Sequence, residues 1–341
     1  FQIPSYPNGF LDVSKTFLKF KPTLTATGTI AAATDVPFFA DGLPIIERII
    51  VRSGSGAVLE DIQDADTLEH ILEGLKESST GSKRIALAGD SLNRSAKYAR
   101  QNGRTCIKTL PGGVLGETQE YYLPLHLMGG PYALEVELVL NHPSRCMEVK
   151  GSVLTNPTYT ISGVSLQLEV VNMPTDVCNK LDSAICSGDN VSVPFSSFKS
   201  YRNTFQTGVT DVSLQVHEVS PNVEELMLVM EDTTTKSATD PRYNFIGGSS
   251  TAANKLNEYQ FRYADTYMPL QPVRDLASGS AGALANVLRD LDVPNPVICE
   301  VDENEDCLYF TNRFTILQNM ETDKGLLSGL STQAHAGPIE A

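Results

Sequence analysis

The sequence predicts an all-β protein of two tandem β-sandwiches, each carrying one short helix. Three observations predict it. Short runs alternate in polarity, as in Ala133 to Leu140, where Leu134, Val136, Leu138 and Leu140 face one way and Glu135 and Glu137 the other. Glycine, proline and serine clusters separate such runs about every 8–12 residues. A strand–turn–strand–helix segment occurs once in each half of the chain. Clean alternation marks half-buried antiparallel strands, not the continuous apolar runs of a parallel sheet.

Phe1 to Gly9 holds two prolines and a glycine and reads as an extended arm. Leu11 to Thr27 and Thr29 to Phe39 read as strands, with Leu18, Phe20 and Leu24 on one face. Ile45 to Val51 is rich in β-branched residues, Ser53 to Gly56 supplies turn chemistry, and Ala57 to Ile62 is extended again. Asp66 with Glu69 is a candidate capping box. Leu68, Ile71, Leu72 and Leu75 then make one apolar helical face. Ser78 to Gly103 is a polar excursion. Thr105 to Leu110, Tyr121 to Met128, Ala133 to Leu140 and Tyr159 to Val171 complete the first set of strands.

Pro174 to Asp189 is polar and reads as a connector. The chain therefore divides into a first domain over 1–174 with its arm 1–9, a connector over 175–189, a second domain over 190–323 and a C-terminal arm over 324–341. In the second domain, Val191 to Phe195, Ser200 to Phe205, Val212 to Val216 and Leu226 to Met230 read as strands. Thr233 to Thr251 is a second polar excursion. Asn257 to Phe261 and Tyr267 to Val273 repeat the hairpin, and Leu276 to Leu291 repeats the helix, with Leu284, Val287, Leu288 and Leu291 on its apolar face. Val297 to Val301, Leu308 to Phe310 and Phe314 to Leu317 follow as short strands.

The 341 residues suffice for two cores. With 26 basic against 41 acidic residues the net charge is −15, which argues against a role in gripping nucleic-acid phosphates. The basic residues Lys83, Arg84, Arg94, Lys97, Arg100 and Arg104 cluster locally and read as a solvated loop. No apolar run approaches the roughly 18 residues of a membrane-spanning helix, and no signal peptide is read.

Six cysteines include two pairs spaced by eight, Cys178/Cys186 and Cys299/Cys307. Each pair is compatible with a short-loop disulfide or with free buried thiols, and neither has zinc-ligand spacing. Asn93-Arg94-Ser95 and Asn190-Val191-Ser192 match the glycosylation pattern.

Gly89-Asp90-Ser91-Leu92 spells the nucleophile block of the GDSL hydrolases. The Asp-x-x-His partner of that family is missing, because Thr332 to Ala334 precede the late His335 without an Asp. The other histidines, His70, His126, His142 and His217, are scattered. Asp302, Glu303, Glu305 and Asp306 read as a solvated acidic turn rather than a calcium loop. Gly112-Gly113-x-x-Gly116 lacks the lysine of a phosphate loop. No catalytic residue, cofactor site or metal site is expected, and the chain reads as a non-enzyme.

Five stretches taken in order resemble the double jelly-roll major capsid proteins of tailless icosahedral double-stranded DNA viruses, in the flavour of polinton-like viruses and virophages. They are IERIIVRSGSGAVLEDIQDADTLEHIL (46–72), YYLPLHL (121–127), TYTISGVSLQLEVVNM (158–173), FKSYRNTF (198–205) and NEYQFRYADTYMPLQPV (257–273). The resemblance implies two eight-stranded jelly rolls, a homotrimer of pseudo-hexagonal outline, and a place in the virion shell, assembled in an infected host cell. Its implied partners are further copies of itself, penton and minor capsid or cement proteins, and an internal membrane layer, with no direct sequence-specific contact to nucleic acid. It implies that the polar excursions are loops on the outer face or at edges and that the arms reach to neighbours. A tandem sandwich that binds carbohydrate or protein, as an adhesin does, is the rival expectation. The lack of tryptophan counts against sugar stacking.

Overall fold

In the computed structural model, strands dominate and every named pairing is antiparallel. The structure describes residues 1–31, 34–76, 87–89, 94–116, 119, 121–128, 131–151, 153–189, 192–206, 208–217, 220, 222–231, 243, 245–246, 256–263, 266–274, 281–291, 296–299, 309, 313–321, 329–332 and 339–340. The chain forms two compact units. The first holds residues 1–72 and the described residues from 87 to 200. The second holds 73–76 and the described residues beyond 200.

In the first unit the elements are β1 (Gln2–Ile3), β2 (Gly9–Thr27), β3 (Val36–Phe39), β4 (Ile46–Ser53), β5 (Val58–Ile62), α1 (Ala65–Leu75, whose last turn groups with the second unit), α2 (Arg94–Gln101), β6 (Cys106–Thr109), β7 (Tyr122–Pro124), β8 (Leu134–Leu140), α3 (Pro143–Cys146), β9 (Met147–Lys150), β10 (Thr155–Asn172) and α4 (Thr175–Cys186). One sheet runs β1-β8-β4-β5 and another β10-β2-β6, with β7 also on β2, while β3 and β9 pair separately. The core lies between them. Leu18, Phe20 and Leu24 from β2, Ile49 and Val51 from β4, Ile62 from β5, and Leu134 and Val136 from β8 are all buried. The alternation read in β2 and β8 is the alternation of burial, because a period of two sends every second side chain to one face. The β4–β5 turn uses Gly56 at φ 88°, and its ends are tied by Ser53 N–H donating to Ala57 O at 2.8 Å.

The second unit holds β11 (Gln215–Val216), β12 (Glu225–Leu228), β13 (Met230–Glu231), β14 (Phe245–Ile246), β15 (Glu258–Tyr263), β16 (Thr266–Arg274), α5 (Ala281–Leu291), β17 (Ile316–Asn319) and β18 (Ile339–Glu340). Its larger sheet runs β11-β18-β15-β16, and β12–β17 and β13–β14 are further pairs. Tyr259, Phe261, Tyr263, Val287, Phe314 and Ile316 are buried.

The two units share a wiring. In each, a hairpin (β4–β5, β15–β16) is followed by a helix (α1, α5). In each, a later strand (β8, β18) lies beside the first hairpin strand and pairs on its far side with the unit's first strand (β1, β11). In each, the strand before the hairpin pairs with the strand after the helix, β2 with β6 and β12 with β17. The internal repeat expected from sequence is therefore a repeat of topology.

Several expectations need correction. The N-terminal arm is partly a strand: Ile3 is buried and β1 pairs with β8, Gln2 opposite Glu135. The end of the C-terminal arm is likewise strand β18, paired to β15 and β11. The segment read as a connector is helix α4, anchored by buried Cys178. Val191 to Phe195 and Ser200 to Phe205 form no strand among the described residues, and Val297–Cys299 is a 3-10 turn. Cys178 and Cys186 stand at the start and end of α4, about 12 Å apart along the axis, beyond the ~7 Å Cα limit of a disulfide. Cys307 lies outside the described residues, as do Lys83 and Arg84 and both glycosylation asparagines.

The helix faces are rotated from those expected. In α1, Ile71 and Leu75 are buried but Leu68 and Leu72 only half-buried, while Asp66, Glu69 and His70 point inward. In α5, Ala283 and Val287 are buried and Leu288 is exposed. The capping box does not form. Asp64 precedes the helix and its carbonyl takes the Leu68 N–H at 3.0 Å. Asp66 lies inside the first turn and takes Asn141 Nδ2 and Arg145 Nη2, each at 2.9 Å, because a buried carboxylate needs charged or hydrogen-bonding partners. The excursion 78–103 is also not wholly solvated. In α2, Lys97 is buried on Asp41, and Gln101 accepts the Phe39 N–H at 3.0 Å.

Candidate functional site

The chemical motifs of the sequence are not drawn together. Asp90, Ser91, His335 and the acidic run at 302–306 lie outside the described residues. His70 is buried on α1, with Nδ1 3.4 Å from the Asp41 carbonyl. His126 meets Phe10 edge-on, at 5.6 Å between centroids, and lies 3.5 Å from Asp182 on α4. His142 caps α3 by accepting the Ser144 N–H at 3.2 Å. Among the described residues no three His, Cys, Asp or Glu side chains are grouped to hold a metal ion. Burial raises the Cys106 thiol to about 11, so it is held as an unreactive core thiol.

The glycine segment has a different use from phosphate binding. Glu60 lies on β5 beside Ile62, in a row that points into the first unit, and is itself buried. Its carboxylate accepts the Val114 N–H at 2.8 Å. Gly113 has φ 76°, and a Cβ there would overlap the Glu60 carboxylate. A Cβ on Gly112 would strike the Phe198 ring at 2.4 Å or closer to 3 Å along its edge. The loop is thus a cradle for the chain's own acid and for an aromatic of segment 192–200. Burial holds the Glu60 carboxyl above its ordinary range, opposed by the hydrogen bonds from the Ser197 hydroxyl and the Val114 N–H. The same segment is held by Gln119 Nε2 donating to Ser196 O at 3.2 Å and by Ser200 donating to Asp64 at 2.8 Å.

The outer face of the β8-β4-β5 sheet is a ladder of charges. Arg48 makes a paired fork on Asp61 at 2.7 and 2.6 Å, and Arg52 reaches Glu137 at 2.7 Å. Arg48 holds the Asp61 carboxyl below the usual carboxylate range. Large apolar side chains sit exposed around this face: Val58 and Leu59 on β5, Val139 and Leu140 on β8. In the second unit, Tyr267 and Leu270 on β16 are exposed as well. Singly exposed apolar residues are ordinary, but their gathering on hairpin edges marks surface that a partner covers. Sequence reading missed both Glu60 and these edges. The available signals were an acid within an inward row and the adjacent pair Val58-Leu59, which breaks the alternation.

No family model matches the chain, and no curated protein matches its sequence. Solved structures do match. One is a chain in the cryo-EM structure of the Sputnik virophage, aligned over 99% of this chain and 76% of that one, with a TM-score of 0.56 and 11% identity. At that identity the likeness speaks for the fold. The resemblance expected from the ordered sequence stretches is therefore met at the level of architecture: this chain has the virophage-type, capsid-like β fold.

Proposed function

We propose that the chain is a major capsid protein whose two units are jelly rolls and whose working form is a homotrimer. The observation that carries this reading is the shared wiring of the units, β1-β8-β4-β5 and β11-β18-β15-β16. A hairpin whose first strand is flanked by a later, returning strand is Greek-key wiring, and a jelly roll is two Greek keys wound together. Two like units in one chain let three copies present six similar wedges, so a trimer fills a six-fold position in a shell. The full-length alignment to a virophage chain supports the same reading.

In this reading the chain carries out no reaction and binds no cofactor. Its work is association with itself, followed by contact with penton, minor capsid or cement proteins in the virion and with a membrane layer beneath. Trimer contacts belong to the obligate class, burying ~2,000 Å² or more, while trimer–trimer contacts are weaker. The net charge of −15 suits a shell set apart from packaged nucleic acid.

The test is the mass of the purified protein by light scattering. The expected species has three chain masses of 37.0 kDa each. A monomer at every concentration would overturn the reading and favour the tandem binding module.

A further inference from the structure

The two equivalent hairpins share a second feature. In β4–β5, Val51 opposes Glu60 and Arg52 opposes Val58, so Leu59 is an extra residue in the outer strand. In β15–β16, Tyr259 opposes Val273 and Phe261 opposes Met268, so the outer strand again carries the surplus, which includes Leu270. Bulges re-aim side chains, and both bulges lift a leucine off the sheet. Leu270 is 84% exposed, beside Tyr267 at 45%; Leu59 is 38% exposed, beside Val58 at 59%. Gln260 Nε2 holds the larger bulge by donating to Pro269 O at 3.0 Å.

Strand addition does not explain the β16 edge. Pro269 and Pro272 remove two backbone donors, which protects an edge against pairing with another strand. What remains on offer is side-chain docking. The outer faces also differ in charge. That of β15–β16 holds Arg262 and Arg274 against Glu258, a net positive set. That of β4, β5 and β8 holds Arg48 and Arg52 against Asp61, Glu135 and Glu137, a net negative set. Like faces repel and unlike faces attract.

We propose that the bulged β16 edge of one copy docks on the bulged β5 edge of the next, with Leu270 and Val58–Leu59 as its apolar anchors. The occupant of each edge is a second copy of this chain. An unlike-face contact repeats head to tail and closes into a ring when the rotation permits. This rests on the capsid reading and adds to it which surfaces join the copies.

The experiment starts with wild-type mass. A wild-type trimer upholds the capsid reading, and the variants then test the contact. Leu270→Asp and Val58→Asp are expected to leave monomers with an unchanged melting temperature, since exposed positions tolerate substitution. In a Cys186→Ser background, Val58→Cys with Leu270→Cys is expected to give covalent trimers with a short bis-maleimide, whereas either single variant stays uncrosslinked. A Leu270→Asp trimer as tight as wild type would overturn the proposed contact while leaving the capsid reading in place. Efficient crosslinking of either single variant to itself would show like edges meeting and overturn the pairing. A wild-type monomer would overturn both.

Discussion

Gly113→Ala is the most revealing single change in the first unit. At φ 76° an added Cβ is strained, and it would overlap the Glu60 carboxylate. A non-glycine residue in the left-handed region costs about 1–2 kcal/mol. Displacing Glu60 also forfeits its bond from the Val114 N–H, at 2.8 Å, for about 1–3 kcal/mol more. The sum, about 2–5 kcal/mol, corresponds to a fall of roughly 5–20 °C in a unit of this size. Calorimetry at pH 7 measures it. The companion is the same change made in a Glu60→Ala background, where the collision is gone and only the backbone strain remains. The pair of costs should then differ by about 1–3 kcal/mol, the signature of two coupled positions. A Gly113→Ala melting point within about 1 °C of wild type would refute the reasoning, because neither strain nor collision would then exist. Equal costs in both backgrounds would refute the cradle and leave strain alone.

Two further predictions use the same first unit. Because burial raises Glu60 in the folded state, the native chain holds its proton to higher pH than the unfolded chain does. Stability therefore falls as pH rises from the unfolded value through the raised folded one, and Glu60→Gln removes that fall. Urea titrations at pH 4 and pH 7 should show wild type losing ground to Glu60→Gln at the higher pH, and parallel behaviour would exclude the effect. Separately, peptide mapping of the unreduced protein should recover Cys178 and Cys186 as unlinked thiols, because α4 holds them two turns apart. A Cys178–Cys186 crosslink would mean that the helix is not formed.

The features legible in the sequence are those set by local geometry. Alternation in β2 and β8 translates directly into inward and outward faces, since the strand period is two whatever the partner. The hairpin–helix segments were legible because turn residues and the change of period from two to 3.6 are local signals. The helix faces were legible only in part, since rotation about the helix axis answers to neighbours. In α1, Asp66 turns inward because Asn141 and Arg145, far along the chain, are there to meet it.

Strands β1 and β18 were invisible for a related reason. Two residues have no periodicity, and Gln2 becomes a strand only by lying against Glu135. Helix α4 reads as a connector because it buries little beyond Cys178, so its apolar stripe is faint. Composition, alternation and turn chemistry in this chain determined two antiparallel β units, each with a hairpin and a helix. Tertiary structure alone decided their common strand order, the burial of Glu60 against Gly113, and the bulges that expose Leu59 and Leu270. Those depend on contacts between residues distant in sequence, and such contacts are selected by the free energy of the whole packed unit rather than by any local run of residues.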